Sequence, residues 1–111
     1  MEYHVKLTDY AVEQLQEIVS YISNVLQSPE TARRWLERVK LEISALCTMP
    51  NRYPLTPEEP WRSEGIHKMP VENFLVYYCI NESQRIVWVT VVVYGRRDQL
   101  QALRNMPKDQ G

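Results

Sequence analysis

The residues able to do chemistry gather in the second half of the chain. Trp61, His67, Lys68, Tyr77, Tyr78, Tyr94, Arg96 and Arg97 interleave basic and aromatic types, as in surfaces that meet phosphate charge with cations and stack bases on rings. Lys68, Tyr94, Arg96 and Arg97 form the basic-aromatic grouping that strands could bring together. His67 is the imidazole nearest to it, a side-chain type suited to proton transfer as general acid or base. On a strand, however, alternation turns His67 away from Lys68. His4 reads as surface or core edge. Tyr77 and Tyr78 also alternate, so one is expected to pack into the core and the other to stay available for stacking.

Other chemistries lack their parts. The two histidines and two cysteines have no metal-ligand spacing, which argues against a zinc site. The glycines at 65, 95 and 111 are too dispersed for a phosphate-cradling loop, and no Ser-His-Asp grouping is readable. No cofactor is implied. Cys47 and Cys79 lie in apolar stretches far apart and read as reduced core thiols. The net charge is −1, with −3 through Pro60 and +2 from Trp61 onward, so any nucleic-acid contact must be a local patch in the second half.

Positioning those residues requires a folded domain, and 111 residues with 44% hydrophobic and 24% charged content fit one globular domain spanning residues 1–111. No apolar run reaches the roughly 20 residues of a membrane span, and Met1 to Lys6 has no secretory pattern. The expected location is the cytoplasm, without membrane association. Asn81-Glu82-Ser83 matches a glycosylation acceptor and reads as hairpin-turn material.

Tyr3 to Leu7 alternates with Tyr3, Val5 and Leu7 on one face, predicting a strand. Thr8 is a candidate N-cap for a helix from about Asp9 to Leu26, whose apolar stripe is Ala11, Leu15, Ile18, Ile22, Val25 and Leu26. Ser28 and Pro29 open a second helix to about Thr48, with Ala32, Leu36, Val39, Ile43 and Leu46 inward and Trp35 beside that stripe. The short link predicts an antiparallel helical hairpin. Four prolines between Met49 and Pro60 exclude helix and central strand there.

Ile66 to Met69, Phe74 to Ile80 and Arg85 to Tyr94 read as strands, the last two joined by Asn81 to Gln84. Ile86 to Val93 is almost continuously β-branched or aromatic, the pattern of a central strand buried on both faces, with Trp88 in the core. Asp98 to Gln101 can form a capping box for a short helix with Leu100, Leu103 and Met106 on one side. The predicted fold class is α+β: two antiparallel helices packed on a four-stranded, mostly antiparallel sheet, order β-α-α-β-β-β plus a short C-terminal helix.

That order, the helical pattern of Ala11, Leu15, Ile18, Tyr21 and Ile22, the block Pro70 to Tyr78 and the ending Val92-Val93-Tyr94-Gly95-Arg96-Arg97-Asp98 together resemble the RelE/ParE superfamily. Its members are toxins of type II toxin-antitoxin modules, also called plasmid stabilisation or addiction modules. The likeness covers about residues 2 to 105. It implies a microbial-RNase-like fold and growth inhibition by one of two routes: RelE-like members cut mRNA on the ribosome, whereas ParE-like members bind DNA gyrase and trap it on DNA.

For a nuclease, the resemblance implies Lys68 and Arg97 as phosphate contacts, with Arg96, Tyr94 and His67 as further catalytic candidates. Two departures favour a gyrase-binding poison. Leu75 stands where such nucleases carry an arginine, and the segment after Leu100 lacks their tyrosine or histidine. A third alternative is a degenerate, non-toxic antitoxin-binding protein. The resemblance also implies a cognate antitoxin docking on Leu100, Leu103 and Met106 or on the outer side of the helical hairpin, and allows for a higher-order toxin-antitoxin assembly.

Overall fold

The computed structural model describes residues 2–95 and 99–107. Strand β1 (His4–Leu7) leads into α1 (Asp9–Ser20), a π-helical turn (Tyr21–Val25) and α2 (Pro29–Ser44), which ends in a 3-10 turn (Ala45–Cys47). A second 3-10 turn (Pro50–Arg52) begins the proline-rich loop, followed by β2 (His67–Val71), β3 (Phe74–Asn81), β4 (Ile86–Tyr94) and α3 (Gln99–Arg104). The sheet order is β1-β4-β3-β2. β1 runs parallel to β4 and the other pairs are antiparallel, as the α+β reading expects. No helix among the described residues is long and apolar enough to cross a membrane.

Local chemistry explains the boundaries. Thr8 accepts a hydrogen bond from the Ala11 amide at 3.1 Å, capping α1. Ser28 holds the cap position of α2 with Pro29 following, but its hydroxyl donates to Thr31 Oγ1 at 2.6 Å and makes no cap bond to the backbone. Both helices are shorter in α form than their periodicity predicts. After Ser20 the Leu26 amide bonds to the Tyr21 carbonyl at 3.1 Å and the Ser28 amide to the Ile22 carbonyl at 3.1 Å. This wider winding inserts extra residues into the turn and rotates the chain beyond it. Val25 and Leu26, expected on the buried stripe, are consequently 65% and 56% exposed.

The helical hairpin covers one face of the sheet, where Trp35, Val39, Ile43 and Leu46 meet Met69, Val76, Tyr78, Val87, Val89 and Val92. Trp35 is thus a core residue, its ring centroid 4.6 Å from that of Phe74. A smaller core lies on the opposite face, where Ala102 and Leu103 of α3 and Trp61 of the loop cover Ile66, Tyr77 and Val91. β4 supplies both cores because its side chains alternate between the faces, and a bulge shifts that alternation midway along the strand. Tyr77 pairs with Val91 and Tyr78 with Val89, leaving Thr90 as the extra residue of a bulge. Val89 faces the hairpin and Val91 faces α3. The fully buried Thr90 hydroxyl donates to the Tyr77 carbonyl at 3.3 Å, and Gln14 Oε1 accepts from the Val92 amide at 2.8 Å.

Trp88 departs from its expected core position. It belongs to neither cluster and is half-buried on the face away from the hairpin, with Lys6 Nζ 5.9 Å from its ring centroid. Alternation with Val87 and Val89 puts it there, beyond the area that six-residue α3 covers. The proline-rich loop is ordered along β2: the Lys68 amide bonds to the Pro54 carbonyl at 3.0 Å and the Thr56 amide to the Ile66 carbonyl at 2.8 Å. It occupies backbone groups an edge strand would otherwise expose.

Hydrogen exchange provides a check on this layering. The amides of Val87 to Val92 should be among the slowest in the chain and those of the 49–60 loop much faster; equal rates would contradict a doubly covered β4.

Candidate functional site

The sheet face turned away from the hairpin is where β2 and β3 set polar groups beside α3. Lys68 sits on β2 opposite Tyr77 of β3. Its ammonium lies 3.8 Å from Glu58 Oε2, both side chains being under a third exposed. Thr56, fully buried, donates its hydroxyl to Glu58 Oε1. That bond, above all, holds the Glu58 carboxyl below its usual value; partial burial opposes it, and a backbone amide and Lys68 act in the same direction as Thr56. An incoming anion would compete with the Glu58 carboxylate for the Lys68 side chain.

Tyr77 lies next to this pair and is wholly covered. Its hydroxyl donates to Gln99 Oε1 at 3.2 Å, Gln99 Nε2 donates to the Gly95 carbonyl at 2.6 Å, and Tyr10 donates to the Ala102 carbonyl at 2.9 Å. Together these bonds hold α3 on the sheet. Burial, with the Glu58 charge nearby, pushes Tyr77 up to about 12. Gly95 precedes the return to α3, its amide bonded to the Asn73 carbonyl at 2.8 Å. A Cβ there would lie 3.1 Å from that carbonyl oxygen, so the approach favours glycine.

The predicted site residues are only partly brought together. Lys68 is on the α3 side. His67 turns to the hairpin side, as alternation implies, where its ring stacks on Tyr78 at 4.9 Å and its Nδ1 bonds to the Tyr53 carbonyl at 2.6 Å. A carbonyl can only accept, so Nδ1 carries the proton. Tyr94 does not join Lys68: it packs edge-on against Phe74 at 5.4 Å on the hairpin side, three pairs along β3 from the Lys68–Tyr77 register. Arg96 and Arg97, like the Asp98 start of the capping box, lie outside the described residues.

The aromatic platforms are also reassigned. Tyr77 and Tyr78 do alternate, but both are fully buried, because α3 and the loop close the side where one was expected to be available. Trp61 is buried as well. Leu103 of α3 and Met106 just beyond it belong to the second core, whereas Leu100 is 38% exposed. Sequence reasoning missed Thr56, Glu58 and Gln99. The first two lie in a proline-rich loop without periodicity, and the third matters only through tertiary contacts. Both cysteines are free thiols, and burial raises that of Cys79. Among the described residues, no group of three or more His, Cys, Asp or Glu side chains could hold a metal ion.

Residues 5–99 match the family described as the ParE toxin of the type II toxin-antitoxin system parDE. The fold is similar to that of a solved chain of the chromosomal ParDE system of Pseudomonas aeruginosa, with a TM-score of 0.68 and 19% identity over 83% of this chain and 95% of that one. A chain of the RelBE2 toxin-antitoxin complex of Mycobacterium tuberculosis gives 0.61 and 17% over 85% and 92%. A double mutant of the Escherichia coli toxin RelE in the free state gives 0.61 and 13% over 94% and 97%. These structural likenesses concern the fold. No curated protein sequence matches significantly.

The buried tyrosines set an alkaline limit on stability. Tyr77 and Tyr78 are both raised to about 12 by burial against about 10 unfolded. Their contribution is fully present below pH 10 and is lost as pH rises toward 12, because the unfolded chain releases those protons first. Denaturation midpoints should therefore fall between pH 10 and 11.5, and Tyr77→Phe should make the fall shallower. An unchanged slope in that variant would contradict the assignment.

Proposed function

The chain belongs to the ParE toxin family of type II toxin-antitoxin systems, and from that premise we propose that it arrests growth by binding DNA gyrase, without cutting RNA. Membership implies a cognate antitoxin. The observation that carries the gyrase reading is the condition of the α3-side face. Cleavage through a ribose 2′-hydroxyl requires a base, cations for the charge developing on phosphorus and an acid for the leaving oxygen. Here Lys68 is paired with Glu58, while apolar Leu75 and buried Tyr77 fill the adjoining surface. The segment after Leu100 contains neither tyrosine nor histidine. Such a face suits protein binding better than phosphoryl transfer.

The same face supports a mode of silencing. α3 has six residues, well below the length at which isolated helices hold together, so its place depends on Ala102, Leu103 and the Gln99 and Tyr10 hydrogen bonds. An antitoxin helix carrying apolar residues could take over the positions of Leu103 and Met106 and engage exposed Leu100. The two occupants would be alternatives in one equilibrium.

Purified protein should block gyrase supercoiling at concentrations where cell-free translation proceeds normally. Inhibited translation with cuts mapped inside codons would replace this reading with a ribosome-dependent nuclease. Arg97→Ala should then slow cutting by about two to three orders of magnitude, the usual cost of removing a charge-stabilising contact. A folded preparation affecting neither process would leave the non-toxic antitoxin-binding protein.

A further inference from the structure

The outer face of α1 and its π-helical turn is open to solvent. Along it, Glu13, Gln16, Glu17, Ser20, Tyr21 and Val25 line a shallow depression of about 510 Å³. Glu13, Glu17, Tyr21 and Val25 succeed one another at helical-turn spacing, so the depression is acidic toward the start of α1 and apolar toward its end. Tyr21 is 46% and Val25 65% exposed, with Leu26 beside them at 56%. Residues 9–26 contain Asp9, Glu13 and Glu17 and no lysine, arginine or histidine. Glu13 and Glu17 form no ion pair among the described residues.

This apolar end is produced by a local conflict between pattern and structure. The periodicity of α1 would carry Val25 and Leu26 into the core, and the π-helical turn brings them to solvent instead. Such turns are rare and frequent at functional sites, and places where a sequence contradicts its own pattern are those to examine for function.

We propose that this depression docks an amphipathic helical segment of a partner protein, bearing two apolar residues one turn apart followed by two basic residues one turn apart. The basic residues meet Glu13 and Glu17, and the apolar pair covers Tyr21 and Val25. Cations are best placed in the last turns of a helix, so the segment runs antiparallel to α1 with its apolar end first. The surface is separate from the α3 face, so the proposal stands independently of whether gyrase is the target.

The probe is a fluorescein-labelled peptide of about fifteen residues, with leucines at i and i+4 and lysines at i+8 and i+12 on an alanine-glutamine background. Titrated with the full chain at low salt, it should bind saturably and shift the amide resonances of residues 13–26. Combined Glu13→Gln and Glu17→Gln should weaken it about five- to tenfold, and Val25→Ser about tenfold. Leu41→Ser, which removes an apolar side chain 70% exposed on α2, should leave binding unchanged. All four side chains altered in these variants are exposed, and circular dichroism verifies that each variant folds. Equal binding of a peptide with glutamates in place of the lysines, resonance shifts confined to the α3 face, self-association that displaces the peptide, or no binding would each overturn the proposal.

Discussion

Strand β4 has apolar residues to bury on both of its faces. Val87, Val89 and Val92 lie toward the helical hairpin and Val91 and Val93 toward α3, so the sheet must be roofed on both sides. The hairpin provides one roof with two long helices. The other is assembled from α3 and one end of a proline-rich loop, and it leaves Trp88 half-covered beyond its margin. The bulge at Thr90 shifts the alternation so that Val91 and Val93 fall on the α3 side and Val92 on the hairpin side, and the Thr90 hydroxyl bonds to the Tyr77 carbonyl there.

The unequal roofs bear on function. Beneath the hairpin the packing is extensive, and the rings of His67 and Tyr94 lie on that side against Tyr78 and Phe74. Beneath α3 the closure rests on a few apolar side chains and hydrogen bonds from Tyr77, Tyr10 and Gln99. Lys68 and Glu58 sit at its rim. The α3 side is thus closed by fewer groups than the hairpin side.

Sequence periodicity was most informative where burial is regular. The element order, the Thr8 cap and the central place of Ile86 to Val93 follow from residue types at periods of two and 3.6. Periodicity failed where winding changed or tertiary contacts decided. It carried Val25 and Leu26 inward because the π-helical turn has no signature in residue type. It grouped Tyr94 with Lys68 because a strand pattern does not reveal how far along a neighbour a residue falls. Glu58 lay in a loop whose only pattern was proline, and its meaning arises from folding back onto β2.

The parallel pairing of β1 with β4 joins His4 to Ile86 and Leu7 to Val89. β1 therefore leaves the ribosome well before the strand it pairs with. Through most of synthesis the hairpin's apolar stripe has no finished sheet to rest on, since the central strand is still being made. Closing so long a loop makes this contact one of the slower steps of folding. A growing chain thus cannot assemble its complete surface early, and the interval before closure is one in which another polypeptide can reach these segments first.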